Sequence, residues 1–502
     1  VPLERRTILA LAAIVVAIHI ATNVFSPYGV HRDEFLYLAM GRHLHLFKME
    51  FPPAIAILAK VSMLFGDSLV AIRIFPALTA GLLVMLAALT ASNLGGQRLA
   101  QILAAVAVLA SPLFLRAGNL FQPVIFDQLW WTVGLFALVK LGRTDDRRWW
   151  IVYGVAVGLG LMTKFSAIFF GVSTLLALAV SPQRKWLMTR WPWIAAALVL
   201  LIGSPSVIGQ IRLGFPVIQQ MHDLQAGQLE RVTPGEFILG QVEYGPAFFL
   251  ALGGLFWLLI SAEARRFRVA GWTCVFAFLV LLALKGKSYY LGPIYPALFG
   301  AGGVAIERLP RFRKVAAWIA ASLVVAYGLL LLPIGIPILP PETMVAYTRA
   351  IGASEANRTN RGELGDLPQD YADMLGWPEQ AAAVASVYNS LPPEERAKAV
   401  IIADNYGEAG ALDFYGPRYG LPHAISAAGT YWFFGPGTKP GDVAVTIGVG
   451  TDDLQPFYKE ATVVRRITHP WTVAEERDVP IIVARGPYHT LQQVWPSLAG
   501  QN

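Results

Sequence analysis

What this chain lacks narrows its class before any motif is read. It has a single cysteine in 502 residues, Cys274, and that one lies inside an apolar block, so no intramolecular disulfide can form. Only 15% of the residues are charged while 55% are apolar, a balance outside the range of ordinary soluble domains. No glycine-rich nucleotide fingerprint, internal repeat or low-complexity tract is present. The formal charge of +7 does not call for nucleic acid, because an excess of Lys and Arg is what the cytoplasmic loops of a membrane protein carry.

What is there is a series of apolar blocks, each about long enough to cross a bilayer core. Eleven spans are expected, at about 7–25, 69–92, 98–115, 123–141, 149–162, 165–180, 192–208, 244–261, 268–284, 289–306 and 315–333. Arg5 and Arg6 ahead of an apolar run also fit a signal peptide, but no clear small-residue cleavage site precedes the next charges. Six basic groups fall on one side of the spans: Arg5 and Arg6; Arg98; Arg143, Arg147 and Arg148; Arg184, Lys185 and Arg190; Arg265, Arg266 and Arg268; and Arg308, Arg311, Arg313 and Lys314. The positive-inside rule makes that side cytoplasmic. The expected fold is thus an α-helical polytopic membrane protein in the cytoplasmic (inner) membrane. Residues 1–335 form the transmembrane domain, with a first outer loop at 26–68, and residues 336–502 form an extracytoplasmic, periplasmic α/β domain. In that domain 400–403, 443–449, 462–467 and 480–484 read as strands, and 379–390 and 407–415 as helices. In the first outer loop, 33–46 and 53–65 read as short amphipathic helices on the membrane surface, with Pro52 and Pro53 in the first turn of the second.

The outer side holds few charges, and they stand at span ends. Asp33 and Glu34 follow the first span, and Asp127 lies just inside the fourth, where an ionisable group needs a partner or a polar cavity. Acids favouring a helix N-terminus explain the first two equally well. Lys164 interrupts the turn between the fifth and sixth spans, as a snorkelling lysine or as part of a polar pocket with Thr163 and Ser166. Lys285 and Lys287 follow the ninth span, and Tyr289 and Tyr290 open the tenth. An aromatic belt accounts for the tyrosines but not for the lysines. Together these residues offer acids for proton transfer, and cations and hydroxyls for a phosphate. A transferase using a lipid-linked phosphosugar needs that combination, since its donor's tail stays in the bilayer. His31 beside two acids is a weak metal candidate and fits a hydrogen-bonding histidine better, so no metal is assigned and a divalent ion stays open. In the outer domain, capping explains Asn405 and Gly407 of the Asp404–Gly410 stretch, with acceptor binding as the sharper alternative. Tyr431–Pro436 reads as core or as a sugar-stacking patch.

Asp33-Glu34, Glu50-Phe51-Pro52-Pro53, Asp127, Leu161-Met162-Thr163-Lys164 and Lys287-Ser288-Tyr289-Tyr290-Leu291-Gly292-Pro293-Ile294-Tyr295-Pro296 together resemble the protein-O-mannosyltransferase-like type C membrane glycosyltransferases. That clan takes in bacterial family-39 proteins and the aminoarabinose transferases of lipid A. The resemblance covers about residues 7–333. It implies a polyprenyl-phosphate-linked sugar donor and an inverting single displacement onto an acceptor hydroxyl, with Asp33 as base and Glu34 beside it. It also implies Asp127 as the second acid, Tyr290 against the donor phosphate and Glu50 in the donor site. The aminoarabinose enzymes carry Glu-Lys-Pro-Pro where this chain has Phe51, so another cation, Lys287 foremost, takes the phosphate role. Arg212 and Arg231 are the candidates for a further phosphate contact. The acceptor stays open among protein, lipid and glycan, with no nucleic-acid partner expected. The rival class is a polytopic transporter or lipid flippase without covalent transfer, against which the absent repeat counts.

Overall fold

The computed structural model of the chain describes Leu3–Thr359 and Gly362–Ala499. These residues fall into two compact units. The first comprises Val1–Phe25, His45–Leu58 and Phe65–Ile338, and the second Ser26–Leu44, Ala59–Leu64 and Leu339–Asn502.

The first unit is helical throughout. Each of the eleven expected segments contains a helix, but not each can span a membrane as one rod. Among the described residues six helices are long and apolar enough, and up to nine if each bent pair counts as one span. Trp149–Thr163 has 15 residues and Tyr295–Glu307 has 13. At about 1.5 Å rise per residue both fall short of a hydrocarbon core of about 30 Å. The bends have local causes. Pro112 restarts the third segment at 62° to its first half. Gly245, with φ +58°, precedes Pro246 at a 104° bend. The tenth segment begins as a 3-10 turn over Ser288–Ile294, where Pro293 removes a backbone donor.

The basic loops meet at one end of this unit. The Glu4 amide donates to Gln101 and the Gln97 amide to Glu307. Arg308 pairs with Glu263 at 3.2 Å, and Gln183 donates to the Arg265 carbonyl at 3.1 Å. Arg147 stacks over Trp186 at 5.1 Å, and Gly142 abuts the Arg266 backbone. These contacts link all six basic groups, the arrangement the positive-inside pattern requires. Inside the bundle, Gly254 and Gly302 each face a neighbouring helix where a Cβ would strike the Leu298 or Leu250 carbonyl. Close backbone approach of this kind holds membrane helices together where lipid is as apolar as leucine.

The second unit is an α/β domain. Its sheet consists of β1 (Ala399–Ala403), β2 (Ala424–Ile425), β3 (Val443–Ile447), β4 (Tyr458–Thr468) and β5 (Asp478–Pro487), in the order β2-β1-β3-β5-β4. β1 is parallel to β2 and β3, and β5 runs antiparallel to β3 and β4. β3 is buried at every position and reads as a continuous apolar run, as a central strand should. β4 is the exposed edge. It carries Lys459, Glu460, Arg465 and Arg466, with a register shift at Val463/Arg465, which together discourage pairing with another edge. The four expected strands and both expected helices are present, the helices as Trp377–Ser390 and Tyr406–Tyr415. β2, two residues long, gave no readable pattern.

The Arg32–Arg42 helix belongs to this second unit. It does not have one wet and one apolar face: Glu34 through Gly41 are all buried. Phe35 packs its ring against Trp377, Phe414 and Tyr415 at 5.6–5.8 Å. The helix lies so close to Tyr406–Tyr415 that a Cβ at Gly410 would sit 2.5 Å from the Phe35 Cβ, and one at Gly407 would sit 2.7 Å from the Arg32 Cγ. Gly410→Val is therefore expected to lower stability by about 1–3 kcal/mol through overpacking. Gly253→Ala, where a Cβ meets nothing within 4 Å, should be neutral or slightly stabilising. Thermal unfolding of the two variants in detergent decides this, and equal midpoints would refute it.

Candidate active site

In the first unit the candidate residues stand where helices end. Pro123 opens the Pro123–Thr144 helix and places Asp127 one turn inside it, buried. Lys164 ends the Trp149–Thr163 helix in an extended conformation, and the next helix begins at Ala167. This tight reversal brings the Ser166 hydroxyl within 2.8 Å of Asp127 Oδ1, to which it donates. Lys164 interacts electrostatically with Asp127 and lies over the Tyr290 ring at 4.4 Å. It is also the C-cap of its helix, a favourable place for a cation. Trp130 donates to Thr163 Oγ1 at 3.1 Å, and Tyr289 stands edge-on to Tyr290 at 4.8 Å. Asp127, Lys164, Tyr289 and Tyr290 thus form one cluster.

The remaining candidates of this unit take other positions. Lys287 donates to Gln228 Oε1 at 2.6 Å. Arg231 is exposed in the Leu229–Arg231 turn just beyond that glutamine, and Arg212 is exposed at the end of the Trp191–Arg212 helix. Lys285 is exposed with a left-handed φ of 52°. Among the described residues Lys285, Arg231 and Arg212 make no hydrogen bond or ring contact to Asp127, Lys164 or Tyr290. Glu50 is buried and accepts a hydrogen bond from Gln220, while its backbone carbonyl accepts one from Gln210. Gln210 stands one turn beyond Ser206, which touches Met162 two residues before Lys164. Gln210, Gln220 and Gln228 had no signal in the sequence, since uncharged amides in a polar loop look like solvated residues.

In the second unit the charges at the start of the Arg32–Arg42 helix divide the work. His31 is the N-cap: its Nδ1 accepts the Asp33 amide at 3.1 Å, and Glu34 Oε2 accepts the His31 amide at 2.8 Å. Glu34 is wholly buried in this capping box, so its evident part is to fix the helix start. Asp33 stays half-buried, and Tyr406 donates its hydroxyl to Asp33 Oδ1 at 2.9 Å. Arg32 lies 5.0 Å over the Tyr406 ring and pairs with Glu475 at 3.0 Å. Burial opposes the Arg32 charge, but Tyr406, Asp373, Glu476 and Glu475 hold it above the usual arginine range.

The Asp404–Gly410 turn is a capping box as well. Asn405 Oδ1 accepts the Gly407 and Glu408 amides, and its Nδ2 donates to Glu476 at 2.9 Å. Glu408 takes the Asp404 amide at 2.9 Å. Burial pushes Glu408 upward, and the neighbouring Glu476 and Asp404 add to it; burial likewise pushes Glu476 upward. Among the described residues no group of three or more His, Cys, Asp or Glu is arranged to hold a metal ion. Tyr431 is core and donates to Asp413, and Trp432 and Trp495 each donate to the other's carbonyl.

Asp373 is buried near Arg32 and His31. Burial moves its carboxyl up to about 6, with His31 and Arg32 opposing. A carboxyl whose folded pKa lies above its unfolded value stabilises the fold below about pH 4, and that contribution is lost as pH rises through about 6. Asp373→Asn should remove part of this loss; an unfolding midpoint that still falls by the wild-type amount between pH 4 and 7 would contradict it.

Comparison with known proteins fits this geometry. Residues 51–208 match the family profile described as dolichyl-phosphate-mannose-protein mannosyltransferase. Over 222 residues the chain is 28% identical to undecaprenyl phosphate-alpha-4-amino-4-deoxy-L-arabinose arabinosyl transferase 1 of Sodalis glossinidius. That match takes in 42% of this chain and spans only 38% of the relative's length. The fold is that of ArnT from Cupriavidus metallidurans, crystallised with undecaprenyl phosphate: TM-score 0.63, 98% of both chains covered, 18% identity. The Archaeoglobus fulgidus oligosaccharyltransferase, solved with a tethered acceptor peptide, superposes at TM-score 0.52 and 12% identity over 85% of this chain and 64% of that one. The chain thus shares the fold of these solved transferases, and over part of its length it is similar in sequence to the protein-O-mannosyltransferase-like group and to an aminoarabinose transferase.

Proposed function

We propose that the chain is a glycosyltransferase of the cytoplasmic membrane that moves a sugar from a polyprenyl-phosphate donor to an acceptor hydroxyl, with its chemistry and its C-terminal unit on the outer face. The observation that carries this reading is the cluster of Asp127, Ser166, Lys164 and Tyr290, in which an acid, a hydroxyl, a cation and a phenol gather at the ends of membrane helices. A phosphate whose tail stays in lipid is met by such a group. The relatives named above, one of them solved with undecaprenyl phosphate, support the same donor class.

The roles follow from the chemistry. The acceptor oxygen attacks the anomeric carbon opposite the phosphate. As the new carbon–oxygen bond forms, the acceptor proton passes to Asp33. The bond from the anomeric carbon to the phosphate oxygen breaks with its electron pair on the departing polyprenyl phosphate, and the configuration inverts. Lys164 and Tyr290, with Lys287 nearby in sequence, serve as donors to that phosphate. Phe51 stands where the aminoarabinose enzymes have lysine, so these groups carry a role placed elsewhere in that branch. Asp127 holds Ser166 and balances Lys164.

The test uses the full chain in lipid vesicles, with undecaprenyl-phosphate aminoarabinose and dolichyl-phosphate mannose as donors and free polyprenyl phosphate as the readout. Asp33→Asn should cut release by about a hundredfold or more, and Lys164→Gln should lower kcat/KM by about ten- to a hundredfold. Wild-type release from Asp33→Asn would remove the base assignment. Lipid movement across the vesicle with no covalent product would favour the transporter instead.

A further inference from the structure

We infer that Tyr406, from the C-terminal unit, is a positioning residue for Asp33, its hydroxyl orienting the carboxylate that takes the acceptor proton. The inference rests on the reading of Asp33 as the base. Tyr406 and Asp33 are 373 residues apart, yet their contact is a direct 2.9 Å hydrogen bond. It is not an incidental surface contact, because each partner sits on a fixed support. Asp33 is held through its own amide by His31 Nδ1, inside a capping box closed by the buried Glu34. Tyr406 is the first residue of a helix whose cap, Asn405, is held from both sides by the Gly407 and Glu408 amides and by Glu476. Glu476 is itself fixed by Gln380 at 2.8 Å. The Tyr406 ring is clamped beneath the Arg32 guanidinium, and Gly407 and Gly410 set the spacing of the two helices.

The charged groups around the pair fit a donor role for the phenol. Arg32 faces the ring, Asp373 lies 4.0 Å from Arg32, and Asp370 and Asp373 flank His31. Burial and the neighbouring Asp33 hold the Tyr406 phenol well above its ordinary range, so it stays protonated and donates. A hydrogen bond to the charged carboxylate favours that form, and it restricts the rotation of a side chain whose angle to the acceptor oxygen sets the rate of proton transfer.

The experiment compares Tyr406→Phe, Asp33→Asn and the double variant with the full chain, using whichever of the two donors above the wild type turns over. Tyr406→Phe keeps the ring under Arg32, so the unfolding midpoint should stay close to wild type. Its kcat should fall about ten- to a hundredfold, with KM for the donor within about twofold, since the phosphate groups are untouched. The acid limb of its kcat/KM profile should move to higher pH. Fluorotyrosine at position 406, a stronger donor, should move that limb the other way. The double variant should be no slower than Asp33→Asn alone, because the two residues act as one unit. If Asp33→Asn abolishes transfer while Tyr406→Phe keeps the wild-type kcat and pH profile, the inference fails and the base assignment stands. If Asp33→Asn transfers normally, the base assignment fails first and takes the inference with it.

Discussion

The Arg32–Arg42 helix approaches the Tyr406–Tyr415 helix at a distance that only glycine side chains leave open, and the placement of Asp33 depends on it. A larger residue at 410 would press on Phe35 and its backbone, and one at 407 would press on the Arg32 side chain. The Phe35 ring would leave its aromatic neighbours, and the Tyr406 hydroxyl would lose its reach to the carboxylate. Polar order follows from apolar packing here: the capping boxes at His31 and Asn405 orient charges, but the interlocked rings and glycines decide which charges meet.

In the membrane unit the controlling constraint is different. A charge among apolar helices is expensive, so the chain confines most of its cations to one end, where neighbouring loops supply carboxylates and carbonyls. The exceptions are informative for that reason. Lys164 is retained near Asp127 and over an aromatic ring. Such an arrangement suits a group that must meet an anion arriving from the lipid side and release it again.

How much of this could be read from the sequence depended on range. Periodic, local signals carried well: the apolar blocks, the strands at 400–403 and 443–449, the helix after Asn405 and the sidedness of the arginines all have counterparts in the structure. Short elements did not, since β2 has too few residues for a pattern and the breaks at Pro112 and Gly245 look like ordinary span residues. The chemistry-bearing acids and lysines were visible because charge is conspicuous in an apolar chain. Tyr406 and Gln228 were not, because a phenol or an amide declares its role only through a partner far away in the chain. The 33–46 segment does not form the amphipathic surface helix expected of it, because Glu34–Gly41 are buried in the fold and its leading acids, Asp33 and Glu34, are taken up by the Tyr406 hydroxyl and by the capping box.

The interleaving of the two units sets a schedule for synthesis. Ser26–Leu44 belongs to the unit completed only by Leu339–Asn502, so this early segment leaves the ribosome long before its partners exist. At about 5–20 residues per second, the 373 residues separating Asp33 from Tyr406 take roughly twenty to seventy seconds to make. Throughout that interval Phe35 lacks the Trp377, Phe414 and Tyr415 rings it packs against. The Asp33–Tyr406 hydrogen bond cannot form until the last third of the chain arrives, so a truncated product that has already inserted lacks it.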